Sequence, residues 1–371
     1  MKNTTKIISV IIFLSVSIMH VSFGGQKAKW KGKINEENGV IVVKNPKQPM
    51  FSEEVFSIEE ELSIGESDQG EEYMFSDMRN VAVSEDERIY ILDYREGHFK
   101  VFNKDGKYLM TVGRPGQGPG ELNRPRVISI NRNELMIQEL GRRFSFFSLD
   151  GEFLRNVSTK ETWVLYSRSD SQGNIIVTEG FMDPEFFSYK VKKFDPEMNL
   201  LAEIASSPAP DARKSINPFM PIAYWLIDKN DNIVYGYPKD YEIQIFNPKG
   251  TLIKKITKEY DPVEVTEEEK EEQIADTPPE MRSRYVFSKY HSAYYRFFLD
   301  DEGRIFIQTW EKTGNEDTYF HDVFDREGRY IAKIPLRTRP HICKKGKLYS
   351  IEEDSEGYQI AKRYKITWKY E

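Results

Sequence analysis

Apolar residues along this chain fall in runs of two or three, alternate with polar positions, and are broken repeatedly by Gly, Pro, Asn or Asp. A period of two bounded by turn residues predicts short β-strands rather than helices. One pattern recurs six times, a polar turn followed by apolar strand residues. It reads EDERIYIL (85–92), NRNELMI (131–137), SQGNIIV (171–177), KNDNIVY (229–235), DEGRIFI (301–307) and KKGKLYS (344–350). The first apolar positions are Ile89, Leu135, Ile175, Ile233, Ile305 and Leu348, separated by 46, 40, 58, 72 and 43 residues.

A second pattern follows each of the first five copies, an aromatic residue and then a tight turn. It reads FNKDGKYL (102–109), FSLDGEFL (147–154), FDPEMNLL (194–201), FNPKGTLI (246–253) and FDREGRYI (324–331). Asp-Gly and Pro-x-Gly between alternating apolar runs signal hairpins, because glycine accepts a positive φ. Each copy therefore holds about four antiparallel strands, the composition of a propeller blade. The predicted fold is all-β, a six-bladed β-propeller. The sixth copy lacks the second hairpin and ends in YQIAKRYKITWKY (358–370). Its missing outer strand is expected from the N-terminus, at Phe56 to Ile64. SIGESDQGEEYMFSDMRNVAV (63–83) lines up with TVGRPGQGPGELNRPRVISI (111–130), both running from an outer strand into the next blade. A sandwich or β-helix is disfavoured, since a solenoid keeps a tighter period.

The hairpin FNKDGKYLMTVG, the following RPGQGPGEL and the DDEGRIFI turn resemble the secreted bacterial six-bladed propellers with NHL-like repeats, of the TolB-like superfamily. The resemblance covers roughly residues 55–371 and implies a six-bladed ring and an exported location. It implies no activity.

Residues 1–24 stand apart. Lys2 and Lys6 precede an apolar run from Ile7 to Met19, and Ser22-Phe23-Gly24 supplies small residues for cleavage, the layout of a secretory signal peptide. The expected division is a signal peptide (1–24), an N-terminal extension (25–54) and the propeller (55–371) with an insertion at 258–295. The expected location is periplasmic or extracellular, with no lipid-attachment cysteine and no membrane span once the leader is cleaved. Cys343 is the only cysteine, so no intrachain disulfide forms, and it reads as a small buried hydrophobe. Net charge is −7 with no basic block, which lacks the footprint of a nucleic-acid binder. A monomer is expected.

The chemistry is sparse. GRPGQGPGEL (113–122) has no lysine and lies between strands, so it reads as a blade-to-blade joint rather than a phosphate loop. His98, His291, His321 and His341 fall in different repeats without metal-ligand spacing, there is no G-x-S-x-G elbow, and neither metal nor cofactor is expected. Binding residues are sought on the propeller face that carries the longer loops. Arg95, Arg114, Arg142, Arg143, Tyr237, Tyr290 and Trp310 are the candidates there, since arginine beside aromatic rings suits a carboxylate or ring ligand. Salt bridges between blades are the stronger reading for any one of these arginines. The insertion is predicted to open with a helix capped by Thr266 and to stop at Pro278-Pro279. The functional expectation is a non-enzymatic protein that binds a peptide, glycan or partner protein. The alternative is a hydrolase or lyase with a central polar or metal-assisted site.

Overall fold

The polar turn that punctuates the sequence takes one capped form in blades 3, 4 and 5, while blades 2 and 6 turn in two residues between Asn131 and Glu134 and between Lys344 and Lys347. In the computed structural model, Asp170 Oδ1 accepts the N–H groups of Gln172 and Asn174 at 2.9 Å each, while the Asp170 N–H donates to the Asn174 carbonyl at 2.9 Å. Asp228, Asp300, Asp195, Asp325 and Asn247 cap their own turns in the same way. The fourth residue of the turn is left-handed, with Gly173 at φ 89° and Gly303 at φ 84°; this is why glycine marks so many copies.

The structure describes residues 29–369, apart from 67, 132, 141, 184–185, 212, 315–317 and 338–339. The expected signal peptide lies outside the described residues. Blade 1 consists of strands Met78–Val83, Ile89–Asp93, His98–Phe102 and Tyr108–Val112, in that order from the axis outward. Blades 2 to 5 repeat this meander, with inner strands Pro125–Asn131, Val164–Ser169, Tyr224–Ile227 and Arg296–Leu299. Blade 6 contains Pro340–Lys344, Lys347–Glu353 and Gln359–Trp368. The first apolar residue of every repeat stands at or beside the start of a second strand.

Among the described residues, three strands precede blade 1, namely β1 (Lys33–Glu37), β2 (Val40–Asn45) and β3 (Phe56–Ile64). β3 is the outer strand of blade 6, antiparallel to Gln359–Trp368 in a register running from Phe56↔Trp368 to Ile64↔Ala361. The expected closure strand therefore has the expected bounds. The hairpin β1–β2 was expected only as an extension. It adds to blade 4 instead, with β2 parallel to the outer strand Leu252–Lys258, giving a six-stranded sheet. Between β2 and β3, the Met50 and Phe51 N–H groups donate to the Tyr330 and Ile331 carbonyls of blade 5, at 3.0 and 2.9 Å. The N-terminal segment is thus a belt along the outside of blades 4, 5 and 6. Its buckle is Asn45, which is buried. Its Oδ1 accepts from Trp30 Nε1 and the Tyr330 N–H (2.9 and 2.8 Å), and its Nδ2 donates to the Thr257 and Gly328 carbonyls (3.1 and 2.9 Å).

Six apolar clusters hold the ring, one at each blade-to-blade contact. β3 serves two of them, placing Phe56 between blades 5 and 6 and Ile64 between blades 6 and 1. Blades 4 and 5 are also joined by a buried polar knot. Asp322 accepts from the hydroxyls of Tyr241 and Tyr330, each at 2.5 Å, and from Lys258 at 3.1 Å. Cys343 is buried in the blade 5–6 cluster, as its flanking pattern indicated, and burial pushes its thiol pKa up.

Phe56 packs edge-on to Phe306 and Trp368, with ring centroids 6.0 and 4.9 Å away. Truncating it opens a cavity at the closure seam, so Phe56→Ala should lower the unfolding free energy by about 3–5 kcal/mol. The exposed β3 residue Glu59 is the control, with Glu59→Ala within about 0.5 kcal/mol of wild type. Urea denaturation of both variants measures the difference, and equal midpoints would place the seam elsewhere.

Candidate functional site

The alternating blade strands send two sets of loops to opposite faces. The long loops, within blades after the second strand and between blades, make one face. The capped turns make the other.

The seven residues selected from the sequence lie on the long-loop face without converging. Arg114 reaches back to Glu121 of its own loop, Nε to Oε1 at 3.0 Å, and the Gly118 N–H donates to Glu121 Oε2 at 2.9 Å. Arg143 grips Glu139 with Nε at 2.9 Å and Nη2 at 2.6 Å, and holds the GRPGQGPGEL joint through the Gln117 and Glu121 carbonyls. Arg95 lies 3.7 Å from Asp77 and Arg142 lies 3.9 Å from Glu161, both with exposed side chains. Tyr237 packs into the blade 3–4 cluster. Tyr290 is exposed, with Lys289 above its ring.

Trp310 alone belongs to a compact group, stacked on His291 at 4.2 Å. His291 Nε2 is 3.1 Å from Glu269 Oε2. Glu269 belongs to the capping box of helix α1 (Glu267–Ile274), whose N-cap is Thr266 as expected. A second short helix, α2 (Pro279–Arg282), begins at the Pro pair. The insertion is anchored to the blade 3–4 crossing, where Ile216 and Tyr285 form a β-bridge. His291 thus holds the insertion onto the ring.

The large cavity is elsewhere. It occupies the axis, has a volume of about 500 Å³, and is lined by the turn-side ends of all six inner strands. It opens on the capped-turn face, opposite the face chosen from loop length. The turns round its mouth are tied across blades. Asp231 accepts from the Ser171 N–H and hydroxyl at 2.8 and 2.6 Å, Lys229 donates to the Asp301 carbonyl at 3.0 Å, and the Lys345 N–H donates to Asp301 Oδ2 at 2.6 Å. Lys344 pairs with Glu85, joining blade 6 to blade 1.

Inside, the strand register sorts the walls into rungs. One rung is Ala82, Ser129, Arg168, Leu226, Phe298 and Ile342, paired respectively with Tyr90, Met136, Ile176, Val234, Phe306 and Tyr349 of the second strands. All six line the cavity. The rung deeper from the mouth holds Asn80, Val127, Tyr166, Tyr224 and Arg296, and His341 enters at a bulge in blade 6. This deeper rung is polar where an apolar inner strand would suffice.

Arg168 Nε donates to Tyr166 Oη at 2.6 Å. Among the described residues this is its only hydrogen bond, and it pairs with no carboxylate. Tyr166 and Tyr224 are neighbours, with ring centroids 6.4 Å apart, and burial raises the Tyr224 pKa. Asn80 Oδ1 accepts the Ile128 N–H at 3.3 Å, which turns its Nδ2 toward His341 Nδ1 at 3.5 Å. An amide nitrogen only donates, so Nδ1 is the accepting nitrogen of a neutral imidazole. Burial, reinforced by Arg296 and Arg168, brings the His341 pKa down to about 4, and burial with Arg296 does the same for His321 on the third strand of blade 5.

Among the described residues, no three His, Cys, Asp or Glu side chains are grouped to hold a metal ion. The sequence reading missed Arg168, Arg296, Tyr166, Tyr224 and His341 as a group. Aligning the inner strands backward from their turns would have found the rung, since four polar or phenolic residues then share one position.

A family model described as 6-bladed beta-propeller matches residues 30–362, and the chain belongs to that family. Among solved structures, a protein assigned as exported from Bacteroides fragilis superposes with a TM-score of 0.57 at 10% identity, covering 88% of this chain and 99% of its own. Virginiamycin B lyase from Staphylococcus aureus gives a TM-score of 0.44 at 12% identity, covering 84% of this chain and 99% of its own. A gluconolactonase from Xanthomonas campestris gives 0.43 at 12% identity, covering 79% of this chain and 86% of its own. At these identities the likeness extends to the fold alone. No curated protein sequence matches the chain.

The buried His321 and the half-buried His341 give a direct test. The unfolded chain titrates them near 6.5, whereas the fold holds them near 4, so between those values the unfolded state binds protons that the folded state does not. Unfolding free energy should therefore fall as pH drops from 6.5 toward 4, by up to about 1.4 kcal/mol per pH unit for each histidine. His341→Gln should remove its share of that slope. Urea titrations between pH 7 and 5 read it, and a flat profile in wild type contradicts the neutral, buried assignment.

Proposed function

We propose that this protein is an exported, non-enzymatic binding protein that holds its ligand in the axial cavity on the capped-turn face. The supporting observation is that this cavity combines apolar walls with a few convergent polar groups, the usual constitution of a small-molecule site, at a usual size. The rim arginines found from the sequence are engaged with carboxylates of their own loops and blades, so they contribute rigidity first. An N-terminal leader and the resemblance to secreted NHL-type propellers support export.

Chemistry favours binding over catalysis. A general base works best with a pKa near the working pH, and His341 lies far below it with no carboxylate to raise it. The carboxylates at the mouth, Glu85, Asp170, Asp228, Asp231, Asp300 and Asp301, accept hydrogen bonds or ion pairs that hold the turns, which favours a structural part for them.

The test is occupancy. Native mass spectrometry of the mature protein, purified from its own host, should show a bound small-molecule mass. Ser129→Trp fills the cavity from its buried wall and should remove that mass, with the far-ultraviolet circular dichroism spectrum checking that the ring still folds. A mass that survives Ser129→Trp but is lost from the pair Arg114→Ala and Trp310→Ala would move the site to the long-loop face.

A further inference from the structure

Resting on the cavity reading, we infer that the ligand is a small carboxylate with an apolar body, its carboxylate anchored on Arg168. The rung that lines the cavity holds one charged side chain, Arg168, among Ala82, Ser129, Leu226, Phe298 and Ile342. Guanidinium presents five N–H donors in a planar fork matched to a carboxylate. Its Nε–H is spent on Tyr166 Oη, which fixes the plane and leaves the two amino groups to the cavity. The surrounding rung offers apolar contact and no second cation, so a compact, fully hydrated dianion gains little there beyond one contact.

Of the six carboxylates at the mouth, Asp170, Asp300 and Glu85 are paired with cations of the fold, and Asp228, Asp231 and Asp301 accept from neutral donors. Asp170 caps its turn and pairs with Lys193 at 2.8 Å, Asp300 caps its turn and pairs with Arg304 at 3.1 Å, and Glu85 pairs with Lys344. Asp228 caps its turn and accepts from Asn232 Nδ2 at 2.9 Å, Asp231 accepts from Ser171, and Asp301 accepts from the Lys345 N–H. Lys229 and Lys344 line the mouth beside these acids, and Arg168 is the cation of the rung beneath them. Ligand binding then supplies a carboxylate to a guanidinium that pairs with none among the described residues, and charge-assisted hydrogen bonds in such a confined site are the strong kind.

Cys343 lines the same cavity and is the only thiol, so its labelling reports occupancy. The mature protein is treated with methyl methanethiosulfonate, small and neutral, in the presence of benzoate, of its neutral isostere benzamide, or of inorganic phosphate. Benzoate should slow labelling at concentrations at least tenfold below those needed for benzamide or phosphate. Arg168→Met should abolish that tenfold preference, and the milder Tyr166→Phe should reduce it in a chain that keeps the arginine.

Equal protection by benzamide, or a benzoate preference that persists in both variants, overturns the anchoring of a carboxylate on Arg168 and leaves the cavity reading standing. Phosphate protecting as well as benzoate overturns the apolar body. Labelling that none of the probes slows overturns the carboxylate and the cavity reading together.

Discussion

The seam where β3 pairs with Gln359–Trp368 is the constraint from which the rest follows. A propeller is a closed ring made from an open chain, and its last blade is incomplete until the N-terminal strand supplies the outer edge. Closure removes the open edge of that blade, puts Phe56 and Ile64 into two different inter-blade cores, and fixes the circumference. Only with the circumference fixed do six inner strands stand around an axis at a defined distance. The belt from β2 through Met50 and Phe51 strengthens this seam from outside, and Asn45 ties it to blades 4 and 5 with four hydrogen bonds.

The ring then settles what the axis can do. Apolar side chains fill the spaces between blades, so the inner strands are free to carry polar residues facing one another. They do so unevenly. The rung nearest the mouth is apolar apart from Ser129 and Arg168, and the rung beneath carries Asn80, two tyrosines and Arg296, with His341 beside them. Turn hydrogen bonds between Ser171 and Asp231, and between Lys345 and Asp301, hold the rim so that this arrangement is set before any ligand arrives.

Much of the fold was legible because its signals are local. A polar turn followed by apolar strand residues needs only about seven consecutive residues, and the six repeats are found from it. The closure strand was legible because the sixth repeat visibly lacked a hairpin. The β1–β2 hairpin was not, since its parallel pairing joins Ile41 to Lys254, and nothing in either segment names the other. The axial cavity was not legible for a related reason. Loop length and arginine count drew attention to Arg95, Arg114, Arg142 and Arg143, yet Arg114 and Arg143 hold the GRPGQGPGEL joint in shape. Arg168 and Arg296 looked like ordinary strand residues, because their convergence depends on the register of separate blades.

The central claim is that the axial cavity, and not the long-loop face, is where this propeller meets its ligand. The most direct measurement is a crystallographic map of the mature protein, crystallised as purified from its host. The account predicts continuous density for a small molecule lying against the Arg168 guanidinium and the side chains of Leu226 and Phe298. Density for a ligand at Trp310 and Tyr290, with only water beside Arg168, would contradict it.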